Sequence, residues 1–306
     1  MTPVSAELVI VGAGPAGVSG ALWARTLGIS VRLIERAAVV GGQLREVHFH
    51  PAELPGIAAG SGPEIADTYA AQLTAAAIEP ECNLEAVGLE SEDHGVSVRL
   101  AGGTQIAGRS VLVATGLRRR RLGVPGEAEL LGAGVSYSGR RDRDALAGND
   151  VVVVGGGDGA CENALLLSAV GCRVLIVVRE RALARPEFRE RVAANPGIEV
   201  VEQARVIEIS GSGRVEAVRI ELEGSIATRP ARGVVIKIGM TPNTEWCPML
   251  ERDAAGYLEV DGRGRTSLPW VWAAGDVVRP LLPSVAAAVG SAATALAAAR
   301  QALRGR

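Results

Sequence analysis

An α/β fold built on parallel sheets is what this sequence predicts, on three observations. Short β-branched runs ending in glycine clusters alternate with Ala-rich windows of helical length. Two of these alternations are complete strand, turn, helix, strand units. The composition, 48% hydrophobic with 39 Gly and only 3% aromatic, suits a globule and not a disordered chain. At 306 residues the chain has room for two domains of about 150 residues each. Lys and Arg number 32 against 34 Asp and Glu, a net charge of -2, so no global basic field recommends nucleic acid.

The first unit starts with a strand over Glu7–Val11, followed by the turn Gly12-Ala13-Gly14-Pro15-Ala16-Gly17, a helix to about Leu27 and a strand over Val31–Glu35. The second runs the same way: a strand over Asp150–Val154, the turn Gly155-Gly156-Gly157-Asp158-Gly159-Ala160, a helix to about Val170 and a strand over Arg173–Val178. The spacing is specific because each small residue has its own task. The first glycine makes the tight turn and the second lets backbone approach a pyrophosphate. The third, or an alanine, lets helix pack on strand, and the helix N-terminus faces the phosphates. Glu35 lies 23 residues after Gly12, where an acid can accept from ribose hydroxyls. Two dinucleotide sites on two Rossmann-like, three-layer domains are therefore expected.

Between and after these units, Ser110–Gly116 reads as a strand ending in Thr115-Gly116, and Val271–Val277 repeats that pattern with Asp276 at the strand end. The uncharged stretch Leu281–Ala299 is mostly Ala with Gly, Ser and Thr, which suits a buried helix and not a membrane span. No basic region precedes the first strand, so no export signal is expected. Cys82, Cys161, Cys172 and Cys247 lie far apart with no C-x-x-C pair, which argues against a zinc ribbon or a local dithiol. A reduced, cytoplasmic protein is the expectation, with Cys161 and Cys172 as small buried hydrophobes.

His48 and His50 flank Phe49 and, if that segment is extended, share a face. No third His or Cys stands at ligand spacing, so no metal site is expected. A general acid or base beside a cofactor is their alternative to ordinary loop residues. The basic run Arg118–Arg121 lacks interleaved aromatics. It reads as a solvated hinge, or a patch for an anionic cofactor or partner, and not as a nucleic-acid contact.

The segments Gly12–Gly17, Gly41–Leu44, Pro55-Gly56, Ala114–Gly116, Gly123–Gly126, Val135–Tyr137, Gly155–Ala160, Gly239–Asn243 and Gly275-Asp276 run nearly end to end. Through them the chain resembles the low-molecular-weight thioredoxin reductase family of FAD and pyridine-nucleotide enzymes. The resemblance implies a discontinuous FAD-binding domain, residues 1–117 and 241–306, with an NAD(P)-binding domain, 118–240, inserted into it. It implies FAD contacts from Gly12, Gly14, Pro15, Ala16, Gly17, Glu35 and Arg36, and from Gly42, Gln43 and Leu44 along the flavin. Further FAD contacts would come from Ala114, Thr115, Gly116, Gly275, Asp276, Ser284 and Val285, with Asp276 on the ribityl chain. The helix opening near Ser284 would aim its positive end at the flavin's pyrimidine edge. NAD(P) contacts fall to Gly155, Gly157, Asp158, Gly159, Ala160, Arg179, Arg181 and Arg185. A homodimer is implied as well.

Two departures from the family pattern bear on the chemistry. The family's redox-active C-x-x-C follows V-S-Y, and here Ser138 and Arg141 occupy the cysteine positions. A hydroxyl and a guanidinium cannot exchange a disulfide, so reduction of thioredoxin is not expected. Ferredoxin and flavodoxin reductases of this fold also lack the cysteines but carry a C-terminal aromatic, whereas no aromatic follows Trp272 here. Arg140 and Arg141 could steer an acidic partner; His48, His50, Ser138 and Arg141 are the catalytic candidates. The second departure lies in the family's H-R-R-x-x-x-R signature, which reads Val178-Arg179-Glu180-Arg181-Ala182-Leu183-Ala184-Arg185. A carboxylate ~5 Å from a 2′-phosphate costs about 3 kcal/mol at an effective dielectric of ~20, so NADH is as good a candidate as NADPH.

The expected activity is an FAD-dependent NAD(P)H oxidoreductase that passes electrons to an electron-carrier protein, oxygen or a small molecule. The alternatives are a flavin oxidase or dehydrogenase reduced by an organic substrate, and a non-catalytic flavin-binding regulator.

Overall fold

The computed structural model describes residues 6–48, 50–51, 54–57, 60–92 and 95–305. The chain divides into two compact units, Met1–Arg118 with Thr241–Arg306, and Arg119–Met240. Unit 1 opens with β1 (Ala6–Val11), α1 (Pro15–Thr26), β2 (Val31–Ile34) and α2 (Gly62–Ala75), followed by the meander β3 (Ala86–Glu92), β4 (Gly95–Leu100) and β5 (Gln105–Val113). A short β6 (Leu117–Arg119) leads out of it. Unit 2 contains β7 (Val135–Ser136), α3 (Gly139–Leu146), β8 (Asp150–Val154), α4 (Asp158–Ser168), β9 (Arg173–Val177), α5 (Pro186–Ala193) and β10 (Ile198–Val201). A second meander, β11 (Ala204–Ser210), β12 (Ala217–Leu222) and β13 (Ser225–Pro230), precedes β14 (Gly233–Ile236). The chain returns through β15 (Met240–Pro242), which pairs with β6, to β16 (Val271–Ala273) and α6 (Val285–Arg304).

In unit 1 the strand order is β2-β1-β5-β4-β3, with β16 also on β5. Strand β5 serves two sets of partners: Val111–Val113 pair in parallel with β1 and β16, while Gln105–Gly108 pair antiparallel with β4. That is why it begins at Gln105 and not at Ser110, where the β-branched run starts. Side-chain alternation then assigns the two faces. Leu8, Ile10 and Leu112 bury against α1 and α6, while Val9, Val11, Val111 and Val113 bury against the meander. Helix α6 is built of small residues because it crosses α1 closely. A Cβ on Gly20 would meet Leu112 Cδ2 at 2.7 Å and Leu296 Cδ2 at 3.4 Å, and Ser19 Oγ donates to Val289 O at 3.0 Å. Ser284 caps α6 by accepting from Ala287 N–H at 3.1 Å, and left-handed Gly305 ends it. Among the described residues no helix is long and apolar enough to cross a membrane.

Unit 2 repeats the plan with a wholly parallel sheet in the order β10-β9-β8-β14-β7. Val151, Val153, Ile176 and Val235 face the helices, and Val152, Val154, Val234 and Ile236 face the second meander. Each unit is thus a helix layer, a parallel sheet and a meander, the two Rossmann-like layer sets the sequence predicts. Element ends differ by a residue or two. Helix α1 stops at Thr26 and α4 at Ser168, ahead of left-handed Gly28 and Gly171, the usual way a helix is closed. β2 and β9 end at Ile34 and Val177, which leaves Glu35 and Val178 just past their ladders.

Candidate dinucleotide sites

At the end of β1, Gly12 turns the chain with φ +101°, and a Cβ there would meet Ala114 O, at the end of β5, at 2.5 Å. Gly14 is the N-cap of α1 and Pro15 its first residue, where a missing N–H costs nothing. A Cβ on Gly17 would collide with the Gly12 carbonyl, so α1 starts hard against the turn. No side chain caps the helix, and its first-turn N–H groups remain available as donors. Glu35 closes the turn by accepting from Ala13 N–H at 2.6 Å and Ala37 N–H at 2.8 Å.

A cavity of about 400 Å³ opens beside this carboxylate, with Gly12, Glu35, Arg36, Thr115, Arg118 and Trp246 in its wall. Arg118 is fixed there by Asn243 Oδ1 at 2.9 Å and by the Glu245 carboxylate, whose pKa it lowers through that hydrogen bond. Arg36 approaches Glu85 at 3.9 Å.

Three distant segments converge on the same turn. A Cβ on Gly42 would meet Gly14 Cα at 3.1 Å, and one on Gly116 would meet Gln43 Nε2 at 3.9 Å. Leu44 buries with Ile65 and Ala66, and Val285 from the start of α6 packs on them. A Cβ on Gly275 would meet Ala16 Cβ at 2.8 Å, so Gly275-Asp276 passes over the first turn of α1. Asp276 is half-buried with Oδ1 fully enclosed and unpartnered, and burial pushes its carboxyl up. Asn243 ties the Thr115-Gly116 strand end in place: Thr115 Oγ1 donates to Asn243 O, and Asn243 Nδ2 to Thr115 O, each at 2.8 Å.

In unit 2, Gly155 turns the chain after β8 with φ +135°, where a Cβ would collide with the Lys237 carbonyl just past β14. Gly157 caps α4 with open space around it, and Ala160 sits buried at the third small position. Asp158 opens α4 and accepts from Arg185 N–H at 2.8 Å and Arg185 Nε at 2.6 Å. The backbone and side-chain hydrogen bonds from Arg185 hold its carboxyl below the ordinary aspartate range. Arg185 also lies over the Phe188 ring at 5.2 Å. Arg179 pairs with Glu180 at 3.2 Å, and Arg181 is exposed on the same loop.

The place expected for a dithiol is a helix cap. Ser138 Oγ accepts from Arg141 N–H at 3.3 Å, and the Arg141 guanidinium donates to the Asp142 carboxylate at 2.8 Å and to Ser136 Oγ at 3.3 Å. All four cysteines are free, and burial pushes their thiols up, Cys247 to about 12. His48 is exposed, while His50 Nδ1 lies 3.0 Å from Gly60 O; Phe49 between them is outside the described residues. Among the described residues no group of three His, Cys, Asp or Glu could hold a metal ion. Asn243, Trp246 and Lys237 join these sites without a site assignment from the sequence. Asn243 stands in the Gly239–Asn243 segment, which offered a signal; Trp246 and Lys237 stand in none.

Residues 6–301 match the family described as pyridine nucleotide-disulphide oxidoreductase. The chain belongs to that family. This oxidoreductase is 35% identical over 282 residues to a thioredoxin reductase of Streptomyces coelicolor, covering 89% of this chain and 86% of that one. It is 31% identical over 297 residues to a NADH dehydrogenase of Ferdinandcohnia aciditolerans, covering 94% of this chain and 56% of that one, and so spans little more than half of that relative. The crystal structure of Lactococcus lactis thioredoxin reductase in its FR conformation superposes with a TM-score of 0.82 at 27% identity, covering 99% of this chain and 100% of that one. Thioredoxin reductase-type members of the family bind FAD and use NADPH or NADH. The residues of unit 1 fit FAD on three observations: a glycine turn whose side-chain volume is already taken, a cavity edged by Glu35, and the orphaned Oδ1 of Asp276.

Proposed function

We propose that this protein is an FAD-dependent NAD(P)H oxidoreductase that passes electrons from the flavin to a carrier protein, oxygen or a small molecule, and not through a protein dithiol. The observation that carries this reading is the start of α3, where Ser138 and Arg141 form a helix cap and an ion pair in place of two thiols. The buried cysteines do not replace them, because thiols with raised pKa supply little thiolate near neutral pH.

Bound FAD would supply the hydride-accepting and electron-passing chemistry. This chain's residues would bind and orient it. The first-turn N–H groups of α1 would donate to its pyrophosphate, Glu35 would accept from the adenosine ribose, and Asp276 would accept from a ribityl hydroxyl. The positive end of α6, packed on Leu44 through Val285, would favour negative charge at the flavin's pyrimidine edge. In unit 2 the start of α4 would take the phosphates of the nicotinamide dinucleotide, with Arg185 neutralising Asp158 beside them. A homodimer and a cytoplasmic location belong to the same reading.

Anaerobic titration tests it. NADH or NADPH should bleach the flavin band near ~450 nm; air or an added acceptor should restore it, and oxidised thioredoxin should not. Sustained reduction of the thioredoxin disulfide, or a flavin that neither nucleotide reduces, overturns the reading.

A further inference from the structure

Lys237 is the only lysine among the 32 basic side chains of the chain. Its backbone continues β14 by one residue: its N–H donates to Val154 O at 2.7 Å, and its carbonyl fills the space a Cβ on Gly155 would need. The lysine thus stands directly beside the first glycine of the second turn. Alternation along β14 fixes its direction. Val234 and Ile236 face the meander and Val235 the helix layer, so Lys237 follows Val235 toward α3 and α4. Glu162 of α4 and Arg119 are the charges that bear on it, and Glu162 itself lies 4.0 Å from Arg140 of α3.

Among the described residues the Lys237 ammonium has no hydrogen-bond or ion-pair partner, although the side chain is half-buried. Burial, with the Arg119 guanidinium second, holds its pKa below the ordinary lysine value. A half-desolvated, unpaired cation beside a glycine turn costs stability. An arriving anion would relieve that cost.

The position also says which part of a ligand arrives. In a doubly wound sheet a dinucleotide lies across the crevice where strand order reverses. Here that crevice separates β8 and β9 on one side from β14 and β7 on the other. The adenosine side falls to the loop after β9, so the nicotinamide half falls to β14. We propose that Lys237 is a binding residue for the nicotinamide dinucleotide, its ammonium donating to the phosphate on the nicotinamide side. This rests on the reading that unit 2 takes that dinucleotide.

Amine acylation tests it directly, since Lys237 is the one lysine of this sequence. N-hydroxysuccinimide acetate is applied to the FAD-loaded protein with and without saturating NAD⁺, and labelling is read by peptide mass. NAD⁺ and nicotinamide mononucleotide should slow acylation of Lys237 about 10-fold and leave the α-amine unchanged, while adenosine monophosphate should not protect. Lys237→Met should raise the Kd for NADH and NADPH alike by about 10-fold, because the contact is to a phosphate both share, with FAD content unchanged. Lys237→Arg should recover most of the loss.

Nucleotide binding seen by calorimetry with Lys237 acylated at an unchanged rate overturns the lysine's role and leaves the reading of unit 2 standing. A wild-type protein that binds neither nucleotide overturns both.

Discussion

The turn after β1 is closed by a carboxylate from the next strand end, Glu35, which accepts from Ala13 N–H inside the turn. The turn after β8 has no such acid. Its Asp158 is instead gripped by Arg185 from the loop beyond β9. The neighbouring strand ends differ as well: small, buried Ala114 faces Gly12, while Lys237 faces Gly155. The cavity at the first turn has Glu35, Arg36, Arg118, Asn243 and Glu245 in its wall; that touching Gly156 is about 190 Å³ and mostly aliphatic. At the first turn Glu35 is bonded inside the turn and a cavity lined by charged and polar groups opens beside it, while at the second Asp158 is paired with Arg185 and Lys237, among the described residues, has no partner. The same spacing thus heads two different settings, and the residues around the glycines make the difference.

The largest expected effect probes the glycines themselves. Gly17→Val forces a side chain into the Gly12 carbonyl and should cost about 4 kcal/mol or more, with loss of FAD, in denaturant unfolding and flavin content. The reciprocal Ala160→Gly in unit 2 should cost only about 1 kcal/mol, the helix-propensity difference. Equal costs would break the comparison.

Asp276→Asn comes next and should lower FAD affinity roughly 10- to 100-fold by removing a charge-assisted acceptor. In the flavin-free protein the sign reverses. Burial raises the Asp276 pKa in the folded state above the ordinary 3.8, so folding binds that proton more tightly than the unfolded chain does. The associated stability is fully present below about pH 4 and is lost as pH rises through the raised folded value. The Asn variant should flatten that fall, as flavin-free unfolding measured across the acid range would show.

Asp158→Asn should have the smallest effect. Releasing Arg185 should improve NADPH binding relative to NADH by roughly 3- to 10-fold, while FAD content stays constant. Fluorescence titration of both nucleotides reads this, and an unchanged ratio would mean that Arg185 lies away from the 2′ position.

The fold was largely legible in the sequence, because a β-branched run, a glycine turn and a helical window are local patterns. The length of β5 was not: its first residues, Gln105–Gly108, are held by β4, a partner that no local pattern names. In the candidate sites the glycines and Glu35 stood out through spacing alone. Trp246 and Lys237 did not: Trp246 lies outside both glycine turns, in the loop after β15, and Lys237 only continues the alternation of β14 one residue past its last ladder pair.

By itself, then, the sequence determined the two units, the turn at the head of each, and the absence of a dithiol at Ser138 and Arg141. Each of these is written within a few tens of residues. Only the tertiary structure decided that Ala114 would close on Gly12, that Gly275-Asp276 would pass over Ala16 with an oxygen left unpaired, and that Arg185 would take Asp158. It also set the chain's one lysine against Gly155. Those meetings depend on the order of parallel strands, and that order is fixed by which faces bury together across the whole sheet, not by any residue's near neighbours.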